Sequence, residues 1–167
     1  MLINEASARV DAGDRAGALP LLRAIVRSEL LTDHGRASLY WLLAEAAQGV
    51  DRDVRKDALG GYVVAASVID DDDPERHRRM QQARAALLAL RVQEQALGTS
   101  PHAPIVVSSD SDADSVVAAL DCGKAGAGRY VERRLPQALR GGDPSPRRLL
   151  CTENGDELTL WFSVEDL

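Results

Sequence analysis

The sequence predicts an α+β protein in two parts: an α-helical hairpin domain over residues 1–97 and a small β-α-α-β-β domain over 105–167 that ends in a β-hairpin. Three observations carry this. Up to about residue 97 apolar side chains recur three and four positions apart, the period of a helix. The run Gly98-Thr99-Ser100-Pro101-His102-Ala103-Pro104 gathers helix breakers and reads as a linker over 98–104. Beyond it, Glu157 to Val164 alternates apolar and polar residues after Asn154-Gly155, the pattern of a hairpin strand behind a tight turn.

Composition bounds the rest. Apolar residues make up 45% of the chain but aromatics only 4%, so the core has to be built from Ala, Leu and Val. Such residues suit helices that pack closely. The net charge of −6 and a pI of about 5.1 favour solubility and disfavour nucleic acid and anionic membranes as partners. Lysine is confined to Lys56 and Lys124, and this reliance on Arg, with abundant Ala, Gly and Asp, suggests a GC-rich, bacterial genome. Cys122 and Cys151 belong to no CxxC pattern and read as reduced thiols of a cytoplasmic protein rather than as a disulfide framework. Met1-Leu2-Ile3-Asn4-Glu5 has neither the basic nor the apolar region of a signal peptide. The longest apolar stretch, Gly60 to Ile69, is about half a membrane span, so no membrane partner is expected.

Taken in order, Gly13 and Asp14 mark a helix stop and the N-cap of a helix reaching about Leu30, with Ala18, Leu22, Ile25 and Val26 on one face. Thr32 and Asp33 cap a helix to about Gln48 that carries Leu39, Tyr40, Leu42, Leu43, Ala46 and Ala47. A further helix spans about Asp53 to Ile69, with Ala58, Tyr62, Ala65, Ala66 and Ile69 on its buried side. Gly60-Gly61 inside it costs about 1 kcal/mol per glycine against alanine, a cost that tight helix packing would offset. Asp73 caps and Pro74 begins a helix to about Leu97, where Asp70 to Asp72 meet the positive end of its dipole. In the second part, Ile105 to Ser108 reads as a strand, Asp110 to Asp121 as a turn and helix, and Arg129 to about Leu139 as a second helical stretch bent at Pro136. Leu149 to Thr152 and Glu157 to Val164 then form a hairpin around a type I′ turn, giving a three-stranded sheet.

The first part resembles the tetratricopeptide repeat family. In that pattern a Gly-containing turn precedes an Ala, with a large apolar residue four positions later and a small or apolar one three after that; Ala18, Leu22 and Ile25 fit, as do Ala58, Tyr62 and Ala65. Tyr40, Leu43 and Ala44 match the preceding helix of a repeat. Ala18 and Ala58 are 40 residues apart, more than the family period, so the excess falls in loops near Leu31 to Gly35 and Val50 to Asp53. The resemblance covers residues 5–97, with the helix from Pro74 as a capping helix. It implies a curved scaffold of stacked hairpins that binds peptides or partner domains on its concave face.

Several residue groups are candidates for chemistry. Asp110, Asp112 and Asp114 alternate as carboxylates do in a calcium loop, but Ser115 stands in the place of the loop glycine and Asp121 in that of the bidentate glutamate. The competing reading is an acidic helix start. Cys122 to Arg129 has the composition of a phosphate-cradling loop without the order of one. Arg129, Arg133, Arg134, Arg140, Arg147 and Arg148 concentrate positive charge and are the candidates for phosphate or nucleic-acid contact, against a solvated face with ion pairs. His34, His77 and His102 have no companion in sequence that would make a hydrolytic or zinc site. Trp161, alternating with Thr159 and Ser163, is a candidate interface anchor, as are Tyr40 and Trp41. The expectation is therefore a non-enzymatic interaction or scaffold protein with no cofactor, an unidentified protein partner and a possible homodimer. The alternative is a nucleic-acid-associated factor using segment 129–148.

Overall fold

The structure is a computed structural model that describes residues 2–27, 31–122, 128–133 and 142–165. The fold is mixed α+β, helices first and strands last. Two compact units divide the chain, Met1–Arg84 and Ala85–Leu167. The division falls inside helix α5 (Pro74–Gln95), upstream of the 98–104 segment read as a linker. The reason is that the C-terminal half of α5 brings Ala89 and Val92 into the core of the second unit. The 98–104 segment is itself tied down: Gly98 N donates to Ala103 O at 3.1 Å, and Gly98 O accepts from Trp161 N at 2.7 Å.

The first unit contains α1 (Leu2–Asp11), α2 (Arg15–Val26), α3 (Asp33–Ala47), α4 (Arg52–Ser67) and the start of α5. Side-chain caps set three of the starts. Asp14 accepts from Gly17 N, Thr32 from Gly35 N and Asp51 from Val54 N, each at 3.0–3.1 Å. Each cap satisfies an amide that has no partner within its helix. Gly13 and Gly49, at φ of +81° and +73°, turn the chain after α1 and α3. Each of α2, α3 and α4 packs on the helix before it, most extensively α3 with α4. Ala18, Leu22, Leu43, Ala44, Ala58, Tyr62 and Ala65 are buried as their spacing predicts.

The second unit contains β1 (Ile105–Val107), α6 (Asp110–Ala119), β2 (Asp121–Cys122), β3 (Gly128–Arg133), β4 (Ser145–Cys151) and β5 (Glu157–Val164). The described strands form one sheet in the order β1-β5-β4-β3-β2, with β1 parallel to β5 and the other pairs antiparallel. One face holds the core: Ile105, Val107, Leu149, Leu160 and Phe162 pack with Ala113, Val116 and Val117 of α6 and Ala89 and Val92 of α5.

Four expectations are corrected in this unit. The sheet has five strands rather than three, so the β-α-α-β-β order becomes β-α-β-β-β-β. The start of the expected second helical stretch, Arg129 to Arg133, is strand: Tyr130 pairs with Cys151 and Glu132 with Leu149 on the core face, so alternation against β4 overrides local helix preference. The remainder of that stretch lies outside the described residues. Strand β4 begins earlier than expected, with Pro146 inside it. Pro146 faces Trp161, whose own N–H turns away from β4 to Gly98, so the proline removes no bond from that ladder. The hairpin connection is longer than a type I′ turn. Gly155 N donates to Cys151 O and Cys151 N to Asp156 O, and only Gly155 has positive φ, at +74°. Asn154 instead accepts Asp156 N through its side chain at 3.0 Å.

The cysteines also depart from expectation. Cys122 and Cys151 are bonded as a disulfide, with Cα atoms 5.8 Å apart. Sequence separation hid the pairing, because β3 lies between the two strands and brings their ends together. Gly128 makes room for the bridge: a Cβ there would stand 2.8 Å from Cys122 Sγ and 2.9 Å from Glu153 Cβ.

Candidate functional site on the sheet

Strand register sorts the sequence-predicted residues between the two faces of the sheet. Directly opposed residues share a face. Val131 is opposed to Leu150 and Leu150 to Glu157; Arg133 to Arg148 and Arg148 to Thr159; Pro146 to Trp161. These residues lie on the face away from the α6 core. Arg129, two positions before Val131, lies there too. The structure thus brings Arg129, Arg133, Arg148 and Trp161 onto one surface. Arg129, Arg133, Arg148 and Val131 are exposed there, while Trp161, Pro146 and Leu150 are half-buried.

The charges on this face are partly matched. Arg129 is paired with Asp121 on β2, and Arg133 Nη1 lies 2.6 Å from Glu157 Oε1. Arg133 and Arg148 stand abreast on neighbouring strands, a like-charge pairing that costs stability and that an anionic group laid across them would relieve. Trp161 and Pro146 form the next row on the same face. The row offers an apolar platform beside the two guanidinium groups.

Arg147, one position away, faces the core side instead. Its side chain is only 12% exposed and lies 5.5 Å over the Phe162 ring. It is paired with Asp114 of α6, 3.4 Å from Glu132 and 3.7 Å from Asp110. The acidic run that resembled a calcium loop is thereby distributed. Asp110 and Asp114 turn to Arg147, and Asp112 joins Ser109 at the α6 N-terminus, where Asp112 N donates to Ser109 Oγ and Ser109 Oγ donates to Asp112. Among the described residues, no three His, Cys, Asp or Glu side chains are grouped to hold a metal ion. Arg134 and Arg140, and most of the glycine-rich loop after Cys122, lie outside the described residues.

The aromatic candidates of the helical unit serve its packing. Tyr40 rests against Gly61, and Trp41 meets Tyr62 edge-on, centroids 5.2 Å apart, with Arg79 5.5 Å from the Trp41 ring. Tyr62 donates to Arg76 O at 3.3 Å, and burial raises its pKa above the ordinary tyrosine value, with Arg79 and Arg76 opposing. Of the histidines, His34 lies 3.7 Å from Asp71, His77 Nδ1 is 3.0 Å from Asp73 O, and His102 is exposed. Sequence reasoning missed the partnership of Arg147 with the helix acids, because a single arginine among six gives no sign of which face it takes. The cross-strand pair Arg133 and Arg148 was equally hidden, since its signal is register.

Among the described residues, no helix is long and apolar enough to cross a membrane. Comparison with protein-family models, with curated proteins and with solved structures finds no match for the chain.

Proposed function

We propose that this chain is a non-enzymatic interaction protein, with tetratricopeptide-like helical hairpins as scaffold and the outer face of the sheet as the surface that engages a protein partner. The observation that carries this reading is the row of Arg133 and Arg148 abreast beside the row of Pro146 and Trp161. A protein segment bearing carboxylates and one large apolar side chain complements both rows: the carboxylates bridge the arginines and the apolar group covers Trp161. The helices support the scaffold reading by packing on their chain neighbours and by burying small residues where helices approach.

A second reading draws on the same residues. A single-stranded nucleic acid places phosphates on arginines and stacks bases on aromatic rings. One experiment separates the two. The wild-type chain and the Arg148→Glu/Trp161→Ala variant are used to capture partners from a lysate, with and without nuclease, and the retained proteins are quantified by mass spectrometry. Proteins held by the wild type, lost from the variant and indifferent to nuclease support the protein partner. Capture that disappears with nuclease supports nucleic acid. Equal capture by both chains overturns the sheet face as the binding surface.

A further inference from the structure

Gly60 has no partner inside the molecule that explains it. It lies in the interior of α4, where glycine in place of alanine costs about 1 kcal/mol. A Cβ built on Gly61 would meet the Tyr40 ring at 2.5 Å, so Gly61 is required by the α3–α4 packing. A Cβ built on Gly60 would meet nothing within 4 Å. At 100° per residue, Gly60 lies opposite the buried Val54, Ala58, Tyr62 and Ala65. It shares the outer face with Asp53, Lys56, Asp57, Val64, Ser67 and Val68. On that face Val64 is 68% exposed and Val68 62%, each more than any other large apolar side chain described.

We propose that the outer face of α4 is a docking surface for α4 of a second copy of this chain, the two helices running antiparallel. A bare backbone notch at Gly60 and a branched apolar knob at Val64 are one helical turn apart. A twofold axis between them sets Val64 of each copy on Gly60 of the other, the self-complementarity that an isologous contact requires. Charge selects the direction. A parallel pairing would set Asp57 beside Asp57 and Asp53 beside Asp53. The antiparallel pairing brings the end of α4 that carries Arg52 and Lys56 toward the exposed Asp70 and Asp72 that follow α4 in the other copy. A single helix-on-helix contact is small, at the low end of interface sizes, so the dimer is a weak one with dissociation in the micromolar range.

The test is sedimentation equilibrium of the full chain over about 1 to 300 µM, a range set to bracket micromolar dissociation. The wild type is expected to pass from monomer to dimer. Gly60→Leu, whose side chain projects into open space, and Val64→Asp are each expected to raise the dissociation constant at least about tenfold, roughly the weight of one well-packed apolar contact. Gly60→Ala is expected to raise the thermal midpoint while weakening the dimer, a combination that a purely structural glycine would not give. A monomer throughout the range hands this face to some other occupant and overturns the proposal. A dimer indifferent to Gly60→Leu and Val64→Asp but lost in Trp161→Ala also overturns it, and leaves the sheet face as an interaction surface intact.

Discussion

A methyl group added at Gly61 runs into the Tyr40 ring, whereas one added at its neighbour Gly60 enters open space. Gly61→Ala is therefore expected to destabilise the helical unit by about 1–3 kcal/mol through overpacking, and Gly60→Ala to stabilise the monomer by about 1 kcal/mol. Chemical denaturation of the two variants, followed by circular dichroism, checks the opposite signs. The glycine pair was conspicuous in the sequence, and the tight packing expected of it holds for Gly61 alone, because which of two adjacent residues faces a neighbour depends on the helix phase. Tyr62 gives a second test at this scale. Its folded pKa is raised by burial, so the stability it contributes is fully present below the unfolded value of about 10 and is lost as pH rises through the folded one. The thermal midpoint of the wild type is expected to fall more steeply between pH 9 and pH 11 than that of Tyr62→Phe, about the range in which a tyrosine ionises. Parallel curves would show that the Tyr62 hydroxyl ionises in the folded chain as it does in the unfolded one.

At the scale of elements, helices were readable and strands only in part. Asp14, Thr32 and Asp73 stand at helix starts as their residue types announce, and β5 has the bounds that its alternation predicts. Strand β3 was not readable. Its six residues carry no core periodicity that a helix lacks, and its conformation comes from β4, more than ten residues further along the chain. The disulfide acts on the same elements. It joins the two-residue strand β2 to the end of β4, 29 positions away in sequence. Closing a loop of that size restricts the unfolded chain and is worth about 3–4 kcal/mol in the chain-entropy view. Addition of a dithiol reductant is expected to lower the denaturation midpoint of the second unit, and Cys122→Ser/Cys151→Ser to reproduce the loss without reductant. A midpoint unchanged by either would mean that β2 is held by its other contacts, the Arg129–Asp121 pair and the hydrogen bond from Gln93 to Asp121 O.

At the scale of the whole molecule, the acidic balance of the chain conceals an uneven distribution. The net charge of −6 led to the expectation that nucleic acid is an unlikely partner. Yet Arg129, Arg133 and Arg148 share one sheet face, and a partner responds to the field at its own site as well as to the sum over the chain. Binding at that face is expected to weaken as ionic strength rises, which a salt titration of any captured partner would read. The candidate surface was half legible: Trp161 and the arginine segment stood out by residue type, while their meeting on one face required the register of three strands. The covalent bridge has one more consequence. A protease that cuts the backbone once anywhere between Cys122 and Cys151 leaves both pieces attached, so the nicked chain keeps its mass, plus one water, until a reductant separates it into two. Limited digestion analysed with and without reductant would therefore map every accessible peptide bond in that interval, and a chain purified intact by size alone could already carry such a cut.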